Sequence, residues 1–226
     1  MAFWNVIFPS KCKICENPFI FKDQNLYCPS CISAIEKTEI YFCRSCGITV
    51  ESGYTVCDNC KKDRIYNQIE AFTDYYKVGE IIRDYKLGGY KNLHKVLSQM
   101  IKEDLLSFIK ENKVETVLYI PLHPSTLKKR GFNHLRLILE DIVPSFMIKD
   151  WIIKERKTKF QMELSAEERQ KNLTDAFSLK EEAKFYGQNV LVFDDILTTG
   201  STLKEVAKLL KNQNIGKIFG YVVAKT

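Results

Sequence analysis

The chain has 226 residues, 45% hydrophobic and 27% charged, with a formal net charge of +6 at pH 7. That is the composition of an ordinary soluble globular protein with room for one α/β core and a small appendage. No apolar run approaches the roughly 18 residues of a membrane span, and so mild a positive charge permits a nucleic-acid partner without arguing for one.

The N-terminal "MAFWNVIFPSK" carries a short apolar patch but neither a basic n-region nor a small-residue cleavage site. A secretory signal is not expected there, and the cytoplasm is the expected location. All eight cysteines follow within the first 60 residues as four C-x2-C pairs: Cys12/Cys15, Cys28/Cys31, Cys43/Cys46 and Cys57/Cys60. Two thiolates three positions apart grip one metal from a tight turn, and two such knuckles complete a tetrahedral S4 site. Eight cysteines therefore make two structural Zn2+ sites with no ligand position left for catalysis. Sequential pairing gives two small stacked ribbons; interleaved pairing would make the chain cross over itself. A disulfide framework wants an oxidising compartment, a redox site would use one C-x-x-C beside a strand, and iron–sulfur ligation is a minor alternative. The segment holds too few apolar residues to fold on a core alone, so metal supplies the missing stability.

Beyond Lys61 there is no cysteine and the apolar runs lengthen. The domain boundary is placed near residue 66, giving a double zinc ribbon over 1–66 and a second domain over 67–226. "IEAFTDYY" (69–76) reads as the first strand of that domain. Residues 93–109 put Leu93, Val96, Leu97, Met100, Ile101, Leu105, Phe108 and Ile109 on one helical face. "VETVLYI" (114–120) is a buried strand, "LRLILEDIV" (135–143) a short helix and "FMIKDWII" (146–153) a further strand. Ser165 and Glu168 form a capping box for a helix across the 170s. "NVLVF" and "KIFGYVVA" are two more strands around a helix that starts near Ser201. Strands alternating with helices predict a parallel sheet with covering helices.

The stretch "VLVFDDILTTGSTL" (190–203) concentrates the chemistry. In an open α/β sheet, ligands lie beyond the carboxyl ends of the strands, and there Asp194 and Asp195 end a strand. The loop that follows turns into a helix, so its free N–H groups and the hydroxyls of Thr198, Thr199, Ser201 and Thr202 converge, while Gly200 admits a close backbone approach. A helix start with free donors suits a phosphate. A phosphate beside two carboxylates fits a phosphoribosyl group, with its 5-phosphate in the loop and its ribose hydroxyls on the aspartates. The strand resembles a Walker B strand, but no G-x-x-x-x-G-K-[ST] exists for a P-loop, and no G-x-G-x-x-G opens a dinucleotide fold.

This stretch resembles the phosphoribosyl-diphosphate signature of type I phosphoribosyltransferases. With "YIPLHPSTLKKRGFNHLRLI" (119–138), "ERKTKFQMELSAEERQKNL" (155–173) and the cysteine knuckles, the whole chain is similar to the ComF family of competence-associated proteins. The resemblance implies a parallel-sheet phosphoribosyltransferase-like domain behind the double zinc ribbon. It implies that Thr198 through Thr202 bind the 5-phosphate and that Asp194 and Asp195, the catalytic candidates, bind ribose hydroxyls and help order Mg2+. The Pro121–Pro124 turn, with Leu122 and His123, becomes the pyrophosphate loop, and Lys128, Lys129 and Arg130 supply positive charge. "KTKFQ" (157–161) becomes a hood over the site, braced by Arg169 and Asn172. His134 departs from the family, which usually has Gln after R-G-F-N; it and His123 are candidate site residues, with ordinary packed or surface histidines as the alternative. "YKLGGYKNL" (85–93) is a variant of a shorter family pattern.

Two functions stay open. One is phosphoribosyl transfer from a diphosphate donor to an unidentified acceptor. The other is handling of single-stranded DNA in natural transformation, with the pocket used for binding or regulation and a competence helicase/ATPase as a partner the resemblance suggests. Tyr75, Tyr76, Tyr85 and Tyr90 lie near Lys77, Arg83, Lys86 and Lys91, a stacking platform only if the rings are exposed.

Overall fold

A computed structural model describes residues 10–19, 26–50, 56–155 and 176–226. The hood segment "KTKFQ", the Ser165/Glu168 capping box, Arg169 and Asn172 lie outside the described residues.

The N-terminal region folds around its cysteines. Strands β1 (Ser10–Lys11) and β2 (Pro18–Phe19) pair antiparallel around the first knuckle. Cys28 and Cys57 each sit at the N-cap of a five-residue helix, α1 (Pro29–Ser33) and α2 (Asp58–Lys62). In both ribbons the N–H of that capping cysteine donates to the first knuckle's sulfur: Cys28 N to Cys12 Sγ and Cys57 N to Cys43 Sγ, each at 3.3 Å. The two ribbons are thus built on one plan.

The second region is a five-stranded parallel sheet in the order β3 (Gln68–Asp74), β9 (Ile218–Lys225), β8 (Asn189–Leu197), β4 (Val114–Tyr119), β5 (Ile148–Lys149). The central strands are covered on both faces, and Val190 through Phe193 and Tyr221 through Ala224 are fully buried. Such continuous apolar runs are what a doubly covered parallel strand requires. The covering helices are α3 (Tyr75–Leu87), α4 (Leu93–Glu111), α5 (Pro124–Arg130), α6 (His134–Glu140) and α7 (Ser201–Lys211). Seven of the eight residues predicted for the buried face of α4 are buried, and Met100 packs at its margin.

Two elements differ from the sequence expectation. Strand β3 stops at Asp74, whose carboxylate accepts the Tyr76 N–H at 2.8 Å and starts α3; the aromatic pair Tyr75-Tyr76 is therefore the first helical turn. The expected strand over 146–153 is broken at Asp150-Trp151. Its first half, β5, joins the main sheet, while β6 (Ile152–Lys154) leaves it to pair antiparallel with β7 (Phe177–Leu179).

Strand β3 is an edge, and an uncovered edge is a template for aggregation. The linker between the ribbons and the second ribbon itself cover it. Thr38 N donates to Phe72 O at 3.0 Å and Ile69 N donates to Arg44 O. Lys37 bridges Asp104 and Glu70, and Arg44 pairs with Glu70.

Candidate functional site

Strand β8 carries the acids to the carboxyl edge of the sheet, one position apart. Successive strand residues point to opposite faces, so the two carboxylates acquire different surroundings. Asp195 is 5% exposed, and its Oδ2 meets Lys86 Nζ and His134 Nε2, each at 2.6 Å. Lys86 comes from the last turn of α3 and His134 from the start of α6. Behind the imidazole, Arg130 Nη1 donates to His134 Nδ1 at 2.9 Å. An arginine never accepts a hydrogen bond, so Nδ1 is the acceptor and Nε2 carries the proton given to Asp195. Burial pushes the His134 pKa down against the pull of Asp195, which keeps the ring neutral. Burial alone would raise the Asp195 pKa, but Lys86 and His134 overcome it and hold the carboxyl below its usual range.

Asp194 is the other case. It is partly exposed, and burial together with the charge of Asp195 pushes its pKa up to about 7. Its nearby cations are Lys86 and Lys154, the latter on β6 and itself pushed down by burial. The Asp194 side chain also receives the Asp195 N–H at 2.9 Å. Asp195 is thus a neutralised buried anchor, and Asp194 a carboxylate poised between charge states at the edge of the site.

The loop after β8 has the expected form. Gly200 sits in the left-handed region at φ 75° and caps α7, which non-glycine residues adopt only under strain. Thr198, Thr199, Ser201 and Thr202 are half-buried around it, and Thr199 Oγ1 and Ser201 Oγ share a short hydrogen bond. Helix α7 is held by Leu203, Val206, Ala207 and Leu210, so the donors at its start are aimed by a packed element.

Across the edge, Leu122 and His123 leave β4 half-buried. His123 caps α5, its Nδ1 facing Ser125 N at 3.2 Å and Ser125 Oγ at 2.8 Å. Lys128 and Lys129 are exposed in the last turn of α5, whereas Arg130 turns inward to His134. Sequence reasoning missed the bonds that fix Asp195. Lys86 lies in a quoted motif that carries only its charge, and His134 is a site candidate whose partner Asp195 the sequence does not name; nothing in the sequence marks Lys154. Of the four tyrosines considered for base stacking, Tyr85 is buried, Tyr75 and Tyr90 are half-buried, and Tyr76 alone is open, at 96% exposure.

The cysteines form two tetrads, Cys12/Cys15/Cys28/Cys31 and Cys43/Cys46/Cys57/Cys60, each with sulfurs within 4.8 Å of one another. Cys15–Cys28 and Cys46–Cys57 sulfurs are 3.8 Å apart, as expected for the edge of a tetrahedron with Zn–S bonds of about 2.3 Å. Sequential pairing is the arrangement found, and zinc is the metal that this all-thiolate geometry fits. Among the described residues no carboxylate cluster could cage Mg2+ unaided. No helix among the described residues is long and apolar enough to cross a membrane.

Residues 3–61 match a double zinc ribbon domain, and residues 132–225 match a phosphoribosyl transferase domain. The chain is 24% identical to DNA utilization protein YhgH of Escherichia coli (strain K12), over 96% of this chain and 98% of that protein. It is 24% identical to competence protein F of Haemophilus influenzae, covering 86% and 88% of the two chains. With competence protein ComFC of Streptococcus pneumoniae the identity is 26%, over 88% and 80%.

Proposed function

We propose that this chain, which resembles the ComF family in its double zinc ribbon, its phosphoribosyltransferase domain and its similarity to competence proteins, binds phosphoribosyl diphosphate at the edge of β8 and serves the handling of incoming single-stranded DNA. The observation that carries the binding half is the junction of a partly exposed Asp194 with the Thr198–Thr202 loop at the start of α7. The loop's N–H groups and hydroxyls take the 5-phosphate. Asp194, once ionised, accepts from the ribose hydroxyls. Asp195 acts behind it: locked by Lys86 and His134, it fixes the strand end and sets the local charge. Leu122 and His123, after β4, and Lys128 on α5 take the diphosphate in this reading, and Mg2+ bound to that diphosphate would offset its charge. The DNA half rests on the names of relatives, a DNA utilization protein and two competence proteins, and a helicase/ATPase partner belongs to the same proposal.

A second reading, phosphoribosyl transfer to an acceptor, is favoured by the same site. Departure of pyrophosphate leaves an oxocarbenium-like sugar, and Asp194 on one side with cations on the other would stabilise both charges.

Calorimetric titration of the zinc-loaded protein with phosphoribosyl diphosphate and Mg2+ tests the binding. Saturable binding is expected, weakened at least about ten-fold in Asp194→Asn, the loss of one charge-assisted contact. Absence of binding, or equal binding by the variant, contradicts the reading. A single-stranded oligonucleotide titrated in parallel tests the DNA half.

A further inference from the structure

The second zinc ribbon does more than lie beside the phosphoribosyltransferase domain: it touches the phosphate loop backbone to backbone. A Cβ placed on Gly200 would lie 2.0 Å from the carbonyl oxygen of Cys46, a cysteine of the second tetrad, and 3.5 Å from Gly47 Cα. The contact is reciprocal. Gly47, at φ 83°, closes the knuckle by donating to Cys43 O at 2.8 Å, and a Cβ on it would meet Leu197 Cδ1 at 2.7 Å. Two glycines thus face each other's segments: Gly200 has no room for a methyl group against the Cys46 backbone, and Gly47 is held in the left-handed region against the Leu197 side chain.

Further bonds tie the same ribbon to the same loop. Ser45, buried between the two knuckle cysteines, accepts from Ile65 N at its hydroxyl and from Tyr66 N at its carbonyl. Tyr66, itself fully buried, donates its hydroxyl to Leu203 O in the first turn of α7 at 2.8 Å. Lys225, at the end of β9, donates to Thr49 Oγ1 at 3.3 Å, while Thr226 N donates to Leu197 O at 3.1 Å. The start of α7 is therefore clamped between Gly47 and Tyr66.

We infer that the turn Ser45–Gly47 is a positioning element of the sugar-phosphate site, so that metal at the Cys43/Cys46/Cys57/Cys60 tetrad and ligand in the Thr198–Thr202 loop favour one another. This rests on the phosphate-loop reading above for its ligand, but the clamp exists without one. A knuckle that has lost its metal no longer fixes the Cys46 carbonyl against Gly200, and the left-handed turn that aims the loop donors loses its support. Linkage makes the effect mutual: whatever the metal adds to ligand affinity, the ligand adds to metal retention. The first tetrad makes no such contact with the loop among the described residues and serves as an internal control.

The test is alkylation of the wild-type chain in the presence of a zinc-selective chelator, read cysteine by cysteine by mass spectrometry, with and without phosphoribosyl diphosphate. Ligand is expected to slow alkylation of Cys43, Cys46, Cys57 and Cys60 about five-fold or more, the lower range of allosteric couplings, and to leave Cys12, Cys15, Cys28 and Cys31 unchanged. Equal slowing of both tetrads, or of neither while calorimetry reports binding, overturns the inference. A ligand-free arm separates the clamp from the ligand reading: Gly200→Ala should speed alkylation of the second tetrad alone, and the milder Tyr66→Phe should do so to a smaller extent. If calorimetry detects no binding, the ligand reading fails and this arm decides the clamp. Unchanged rates in both variants, or equal speeding of both tetrads, overturn the clamp.

Discussion

The Asp194-Asp195 pair shows how one strand gives two identical side chains different work. Asp195 spends its charge on Lys86 and His134, whereas Asp194 faces the partly open side with its pKa near 7. A free aspartate titrates near 4, so between about pH 4 and pH 7 the unfolded chain has released a proton that the folded one still holds. Stability therefore falls as pH rises through that window. Asp195 acts oppositely: its contribution is present above the unfolded value and lost only as pH falls through the acid range toward its depressed folded value. Asp194→Asn is predicted to remove the loss between pH 4 and pH 7, so the variant's melting temperature should exceed that of the parent increasingly across that range. A parallel course of the two curves would place Asp194 in ordinary solvent. If Asp194 holds the ribose as proposed, its weakening of the resting fold is a common cost of a functional site.

Helix α3 links the edge strand to the site: Asp74 caps its start, and Lys86 in its last turn reaches Asp195. Replacing Asp74 by Ala should cost about 1 kcal/mol, the usual worth of an N-cap, without weakening ligand binding, because fraying at the first turn leaves the last turn in place. Chemical denaturation with calorimetry separates the two effects, and a matching loss of affinity would mean that the helix moves as one piece. The sequence made α4, β8 and α7 legible through apolar periodicity and through Gly200. It did not disclose that Tyr75 begins a helix, because aromatic residues favour strands and the deciding bond is the local cap on Tyr76 N. The turn from β8 into α7 at Gly200 was legible from local spacing alone. The Arg130–His134–Asp195–Lys86 chain was not, since its members sit on four elements that only the folded sheet brings together.

At the scale of the whole molecule, both ribbons are built into the phosphoribosyltransferase domain. The first reaches α3, where Lys13 and Tyr27 bind Asp84 two residues before Lys86, at 2.6 and 2.7 Å. The second covers the β3 edge and abuts the Thr198–Thr202 loop at Gly200. Zinc supplies much of the folding free energy of such ribbons, on the order of 10 kcal/mol per site. Stripping both metals with a strong chelator should uncover the β3 edge, and light scattering should show self-association that zinc reverses. A stripped protein that stays monodisperse would mean that the edge is covered by other means.

The most direct test of the proposed sugar-phosphate site is hydrogen–deuterium exchange of the zinc-loaded protein with and without phosphoribosyl diphosphate and Mg2+. The site described here predicts slowed exchange at the amides of residues 198–203, with Asp194→Asn abolishing it at the same ligand concentration. Unchanged exchange in that loop, with slowing confined to the ribbons or to α5, would contradict it.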